Sequence, residues 1–331
     1  MITLSVDAMG GDLGMDATVP ACAEAVRDIP DLEVILVGNP DKLRSRLGRN
    51  PGTRITVHPA SEVVGMDDTP ANALRKKKDS SMRVAINLVS EGRANACVSS
   101  GNTGALMATA RFVLKTIPGI ERPAICTALP KLHGHTHMLD LGANIDCPPE
   151  ILYQFGLMGS LLIRCLGGPE NPSVGLLNIG VEEVKGSEIL KAAAELFRDG
   201  PLNYRGFVEP DEIYMGSTDL VVCDGFTGNI ALKASEGVAQ MIMGTLREEF
   251  SQNISSKAAA FAARPVLDRV KTRLDHRHYN GASLVGLRGT VVKSHGSTDR
   301  VGFRHAIEVA VEEVRKDLVT QIAESLTGAR D

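Results

Sequence analysis

Six stretches of this chain follow a short apolar run with glycine and small polar residues. They carry Asp7, Gly10, Gly11 and Asp12; Ser99, Ser100, Gly101, Asn102, Thr103 and Gly104; Asp140, Gly142 and Asn144; Asn178, Gly180, Glu182, Lys185 and Gly186; Asp224, Gly225, Thr227, Gly228 and Asn229; and Ser294, His295, Gly296 and Ser297. Glycine lets a ligand approach backbone N–H groups, and Asn, Ser and Thr add neutral donors. A helix N-terminus behind such a loop favours an anion through its dipole and unpaired N–H groups. If the loops converge, they make an anion site, with phosphate the leading candidate. Any one loop alone is equally a strand-to-helix turn that needs glycine and an Asn or Ser cap.

Other chemistries lack their signatures. There is no G-x-x-x-x-G-K-[ST] phosphate loop, no strict G-x-G-x-x-G fingerprint and no G-x-S-x-G nucleophile elbow, so nucleotide hydrolysis and serine hydrolase chemistry lose ground. His133, His135 and His137 alternate in HGHTH and would share one face of a strand. No Cys or carboxylate is spaced to complete a metal site there, and a solvated edge or hairpin turn is the plainer reading. The six cysteines (Cys22, Cys97, Cys126, Cys147, Cys165 and Cys223) form no C-x-x-C pair and read as buried free thiols. Arg75 to Lys78 read as a solvated helix face.

The elements that must position the loops are legible. ITLSVDAM, LEVILVG, NACVSS, HTHMLDL, SVGLLNIG and DLVVCDG read as strands rich in Val, Ile and Leu, each followed by a loop and a helix. That alternation predicts an α/β fold, three-layer α/β/α around a largely parallel mixed sheet covered on both faces. Ligands of such sheets bind beyond the carboxyl ends of the strands, where the six loops lie. Residues 236–278 break the rhythm: Val238, Met241, Ile242, Leu246 and Phe250 share one helical face. A second, Ala-rich helix follows, interrupted near Pro265 and made basic by Arg264, Arg269, Lys271 and Arg273. The stretch reads as a helical hairpin excursion from a single unit spanning residues 1–331. Two short strands in ASLVGLRGTVVKSHGST and one long amphipathic helix, RHAIEVAVEEVRKDLVTQIAESL, close the chain.

An apolar share of 43% in 331 residues supplies a sizeable core. With 36 Lys+Arg against 40 Asp+Glu the net charge is −4, so a global basic field for nucleic acid is absent. Aromatics at 4% without a tryptophan argue against base stacking. MITLSVDAMGGD reads as a strand, without the basic and long apolar regions of a signal peptide, and no run of eighteen apolar residues occurs. The expectation is a cytoplasmic protein.

The ordered set DAMGGD, VSSGNTGA, DLGAN, LLNIGVEEVKG, VVCDGFTGN, KASEG and YNGASLVGLRGTVVKSHGS resembles the bacterial phosphate acyltransferases of the PlsX family, from Asp7 to Ser297. Ser100 stands where many members have Ala. The resemblance implies a fold like the isocitrate and isopropylmalate dehydrogenases and phosphate acetyltransferase, and a homodimer. No cofactor is expected; Asp7, Asp12, Asp140 and Asp224 either hold Mg²⁺ or orient donors, and the second is preferred because phosphate here needs no polyphosphate chelation. The resemblance also implies transfer of a long-chain acyl group from acyl carrier protein to inorganic phosphate. The acyl-phosphate then serves a membrane glycerol-3-phosphate acyltransferase. Phosphate is already an anionic nucleophile near neutral pH, and a thiol of pKa roughly 8.5 is a tolerable leaving group. Such a reaction needs an anion site, orientation and an oxyanion donor more than acid–base groups.

On this reading Lys185, opening the helix after NIGVEEV, neutralises phosphate or the oxyanion, and Asn229 donates to the thioester carbonyl. Ser100, Gly101, Asn102, Thr103 and Gly104 cradle phosphate, joined by Asp7, Gly10, Gly11, Asp12 and Gly228, while Asp224, Asn144 and His295 orient the site. The basic residues of the excursion fit an acidic carrier protein. Its apolar part, Ala258 to Ala263 with Val266 and Leu267, is read as a tip that lies on the inner face of the cell membrane; a dimer interface or core helix pair is the competing reading. Three other functions compete with this reading: a short-chain phosphate acetyltransferase using acyl-CoA, an NAD(P)-dependent decarboxylating dehydrogenase, and a scaffold tethering carrier protein to membrane.

Overall fold

A computed structural model of the chain describes residues 1–48, 52–274 and 280–328. The strands are β1 (Ile2–Asp7), β2 (Leu32–Gly38), β3 (Ile55–Pro59), β4 (Ala96–Ser99), β5 (Ala124–Pro130), β6 (His135–Leu139), β7 (Ser173–Leu177), β8 (Asn203–Val208), β9 (Leu220–Val222), β10 (Ala282–Val285) and β11 (Thr290–Lys293). They form one 11-stranded sheet in the order β3-β2-β1-β4-β11-β10-β5-β6-β9-β7-β8. Pairing is antiparallel only at β11–β10, β10–β5 and β5–β6. The strands therefore run one way in the β1 half and nominally the other way in the β9 half. Strand-to-strand twist of roughly 20–25°, summed over the six steps from β1 to β9, turns the second half by roughly 120–150°. Twist of that size brings the carboxyl ends of both halves back toward one side.

The helices are α1 (Met15–Asp28), α2 (Pro40–Leu47), α3 (Pro70–Lys76), α4 (Ser81–Ser90), α5 (Thr103–Leu114), α6 (Pro149–Cys165), α7 (Glu188–Asp199), α8 (Glu212–Met215), α9 (Gly225–Ser251), α10 (Ile254–Leu274), α11 (Arg300–Arg315) and α12 (Leu318–Gly328). Three apolar clusters make the layers. Val19 and Cys22 of α1 meet Phe303 and Ile307 of α11 over Leu4 and Val98. Met82 and Ile86 of α4 with Leu106 of α5 cover the opposite face. Phe155 of α6, Phe197 of α7 and Ile322 of α12 pack over Val174 and Val222. All six cysteines are free and buried, as expected, and burial pushes the Cys147 thiol up to about 12. No helix among the described residues is long and apolar enough to cross a membrane.

Four local expectations change. The closing helix is two helices, because Asp317 takes a left-handed conformation (φ 50°) that ends α11 after Arg315; a short polar side chain tolerates that region better than most. Helix α10 runs through Pro265 rather than stopping there; an exposed helix can leave the orphaned carbonyl to water. The His-bearing strand β6 is interior, paired by β5 and β9, and His137 is buried. The excursion read as 236–278 is carried by α9 and α10, and α9 begins at Gly225 inside the body. The turn between them is the polar Gln252 and Asn253, so Ala258 to Ala263, Val266 and Leu267 lie along α10 and not at a tip. Residues 275–279 lie outside the described residues.

Candidate active site

The loops after β1, β4 and β11 are knitted together. Ser100 Oγ donates to the Gly10 carbonyl at 2.9 Å, Asp12 N–H to the Gly296 carbonyl at 2.8 Å, and Ser294 N–H to the Ser99 carbonyl at 2.9 Å. The approach is too close for side chains. A Cβ on Gly10 would stand 2.5 Å from Asp7 Oδ2, and one on Gly11, at φ 81°, would stand 2.6 Å from Ser100 Oγ. Asp7 is fully buried beneath them; Ser99 Oγ donates to its Oδ2 at 2.7 Å, and burial pushes its carboxyl above the usual range. Ser99 Oγ in turn accepts the Gly101 N–H at 3.1 Å. Asp7, Gly10, Gly11, Ser100 and Gly101 are thus brought together.

Above this floor opens a cavity of about 970 Å³. Asp12, Thr103, Gly104, Lys293, His295, Gly296 and Ser297 line it from the knitted loops and the first turn of α5. The rest is mostly apolar: Ile125 and Leu129 of β5, Leu141, Ile213 and Tyr214 of α8, and Leu232, Val238 and Ile242 of α9. A single cavity therefore joins an anion-suited head to an apolar trough. Helix α9 serves both. Its first turns bear Asn229, beside Gly142, and Lys233, whose Nζ pairs with Glu236 at 2.7 Å. Glu236 reaches back to His295 Nε2 at 3.9 Å, and His295 Nδ1 meets Ser297 Oγ at 2.9 Å.

Asn102, Asn144, Asp224 and Gly228 are engaged in contacts within the fold, which for Asn144 and Asp224 is in keeping with orienting residues. Asn102 caps α5 through the Ala105 N–H at 2.9 Å and donates to the carbonyls of Met66 (2.6 Å) and Asp68 (3.0 Å). Asn144 donates to Asp140 Oδ2 at 2.9 Å and to the Pro123 carbonyl at 2.8 Å, with its own carbonyl accepting the Gly225 N–H at 2.7 Å. Asp224 caps α9, accepting the Thr227 N–H at 2.8 Å. Gly228 packs α9 against the Asp140 carbonyl, where a Cβ would stand 1.9 Å away. Each fixes a loop or helix start that faces the cavity.

Lys185 is not in the cavity wall. It lies in the loop before α7, whose cap is Ser187, and its half-exposed ammonium pairs with Glu182 at 2.9 Å. Glu209, next to the cavity-lining Pro210, adds to the fields that push Lys185 up. Arg264 and Arg269 are exposed on α10, far from the loops in sequence; the Lys271 and Arg273 side chains lie outside the described residues. Among the described residues no three His, Cys, Asp or Glu side chains are grouped to hold a metal ion.

The residue that motif reading missed is Lys293. It is buried at the end of β11, and its Nζ donates to the carbonyls of Ser100 (3.4 Å) and Ser294. Burial pulls its ammonium down to about 8, while Asp7 and Asp12 oppose that pull. The available signal was a lysine ending the apolar run TVVK, directly before the SHGS loop.

Sheet and flanking helices define an α/β fold that solved phosphotransacetylases and dehydrogenases share. The phosphotransacetylase of Streptococcus pyogenes matches with a TM-score of 0.64 at 16% identity, over 95% of this chain and 94% of that one. A 4-hydroxythreonine-4-phosphate dehydrogenase from Klebsiella pneumoniae matches with 0.55 at 13% identity, over 95% and 99%. These likenesses concern the fold alone, and they bear out the expected three-layer α/β architecture shared with phosphotransacetylases and with a dehydrogenase. By sequence, the chain belongs to the fatty acid synthesis protein family, whose sequence model matches residues 2–321. The phosphate acyltransferase of Chromobacterium violaceum is 57% identical over 333 residues, covering 100% of this chain and 96% of that one. The chain is thus an acyltransferase, and the dehydrogenase and scaffold readings fall away.

Proposed function

We propose that the protein transfers a long-chain fatty acyl group from acyl carrier protein to inorganic phosphate, releasing acyl-phosphate. The observation that carries this reading is one cavity with a glycine-lined anion cradle at one end and an apolar trough along α9 at the other. A phosphate oxygen attacks the thioester carbonyl carbon, and the carbonyl pair moves onto oxygen. The tetrahedral oxyanion then collapses; the C–O bond to phosphate stays, the C–S bond breaks, and the thiolate leaves and takes a proton from water.

Each side chain has a part. The Gly104 N–H with the Thr103 hydroxyl holds phosphate at the start of α5, where the helix dipole favours it, over a Gly101 turn locked by Ser99. The Asn229 carboxamide donates to the oxyanion. Lys185 receives negative charge at the rim; its exposed pair with Glu182 exchanges readily for a substrate anion. Arg264, Arg269, Lys271 and Arg273 meet acidic carrier protein. A second copy covers the exposed Met241, Phe261 and Val266 of the hairpin, with the remaining apolar surface resting on the inner membrane face. There the product passes to a membrane glycerol-3-phosphate acyltransferase.

The short-chain reading has no use for the trough. The test is acyl-phosphate formation from palmitoyl-carrier protein, palmitoyl-CoA and acetyl-CoA, each with a phosphate-free control. Phosphate-dependent turnover fastest on palmitoyl-carrier protein is expected; a preference for acetyl-CoA overturns the proposal.

A further inference from the structure

Three lysines stand in or beside the cavity, and two are neutralised by carboxylates: Lys185 by Glu182 and Lys233 by Glu236. The third, Lys293, has no carboxylate ion-pair partner among the described residues although it is only 7% exposed. We infer that the Lys293 ammonium is the group that grips the phosphate anion, holding one of its oxygens from the floor of the cavity where the loops after β1, β4 and β11 meet. The inference rests on the phosphate reading above and assigns its principal charge contact.

An ammonium has three N–H donors. Two of Lys293's are taken by the carbonyls of Ser100 and Ser294, which fix the head group; one remains for the cavity that Lys293 lines. Those carbonyls belong to the same loops whose glycines open the cradle, so cation and backbone donors keep one geometry. A buried charge is costly unless it is paired. Asp7 does not close a pair: its own carboxyl is pushed up by burial and its Oδ2 is held by Ser99. Asp12 lies exposed on the cavity wall. A buried cation without an ion pair, beside the first turn of α5, is completed by an anion. Lys185, by contrast, is half exposed and already paired, so it suits a transient contact at the rim.

The groups around the ammonium also set a pH dependence. Asp7 and Asp12 favour the charged form, Lys233 opposes it, and His295 lines the same head. With the ammonium titrating at about 8, phosphate binding weakens as pH rises through that value.

The experiment begins with the whole wild-type protein and palmitoyl-carrier protein, varying phosphate. Lys293→Met is expected to raise the phosphate KM by roughly tenfold or more, the worth of one charge-assisted hydrogen bond, while the donor KM moves less than about twofold. Lys293→Arg restores part of the loss and keeps phosphate binding constant above pH 8, where the wild type loses it. A folded Lys293→Met protein with unchanged phosphate KM overturns the inference. Should that variant not fold, the wild type decides: inorganic phosphate must slow acetylation of Lys293 by a small anhydride, read by peptide mass spectrometry, against Lys233 as internal reference. No protection at saturating phosphate also overturns it. If the wild type makes no acyl-phosphate, the function proposed above fails, and the protection assay still decides the anion contact.

Discussion

An oxyanion donor contributes only if it waits where charge develops, and the role proposed for Asn229 rests on its place in the cavity wall. It sits in the first turns of α9, whose start is fixed by the Asp224 cap and by the contact of Gly228 with Asp140. Asn229→Ala is expected to lower kcat by roughly 10²-fold with both KM values little changed, as for loss of one oxyanion donor. Steady-state kinetics on palmitoyl-carrier protein checks this; an unchanged kcat removes Asn229 from the reaction. Lys185 predicts a different signature. Being exposed at the rim, Lys185→Ala should raise the donor KM by roughly threefold to tenfold and leave kcat within about threefold. Normal turnover with an unaltered donor KM refutes the rim role. The difference between the two residues is one of position, and motif spacing shows residue type without depth. That is why Lys185 was legible as chemistry and the buried Lys293 was not.

At the scale of elements, much of the sequence speaks plainly. β1, β2, β4, β7 and β9 are visible as apolar runs because they are buried on both faces, and the α5 and α9 starts are visible as Asn and Asp caps. β8 is hidden because NYRGFV carries a half-exposed pattern and a glycine at φ 100°, and β5 because its loop to β6 is built around HGH and not a standard turn. The caps also carry more than helix initiation. Asn102 ties the α5 start to the carbonyls of Met66 and Asp68, so Asn102→Ala should cost about 1 kcal/mol in denaturant unfolding and raise the phosphate KM. An unchanged stability and KM together would make the tie incidental. On α11, Glu313 is fully buried and accepts from Ser283 Oγ of β10; burial pushes its carboxyl up to about 8. The folded chain therefore holds this proton more tightly than the unfolded chain. Its stabilising share is complete below the ordinary carboxyl range and is lost as pH rises toward about 8. Thermal unfolding should show Tm falling over that interval, and Glu313→Gln should flatten the slope; a wild-type Tm that holds steady across it contradicts the assignment.

For the whole molecule, the excursion matters because α9 is continuous. The helix that presents Asn229 and lines the trough with Val238 and Ile242 runs on to Ser251 and turns into α10. Whatever covers the hairpin therefore acts on the trough through a single rigid element. The helical periodicity of residues 238–250 and the start of α9 after Asp224 are both readable, but their union in one helix is not, since KASEG contains nothing that separates a cavity wall from an excursion. Met241 (63% exposed), Phe261 (79%) and Val266 (51%) leave apolar side chains in solvent on both helices of the hairpin. On the proposed homodimer, a two-fold pairing would bury these side chains with the same patch meeting itself. Light scattering should give twice the 35.2 kDa chain mass. Phe261→Glu, on α10 and not itself a cavity-lining residue, should shift the protein to monomer. Because α9 then loses its outer support, the monomer should also show a raised KM for palmitoyl-carrier protein with an unchanged phosphate KM. A dimer that survives Phe261→Glu places the contact elsewhere, and a monomeric wild type that binds anionic vesicles assigns the surface to the membrane.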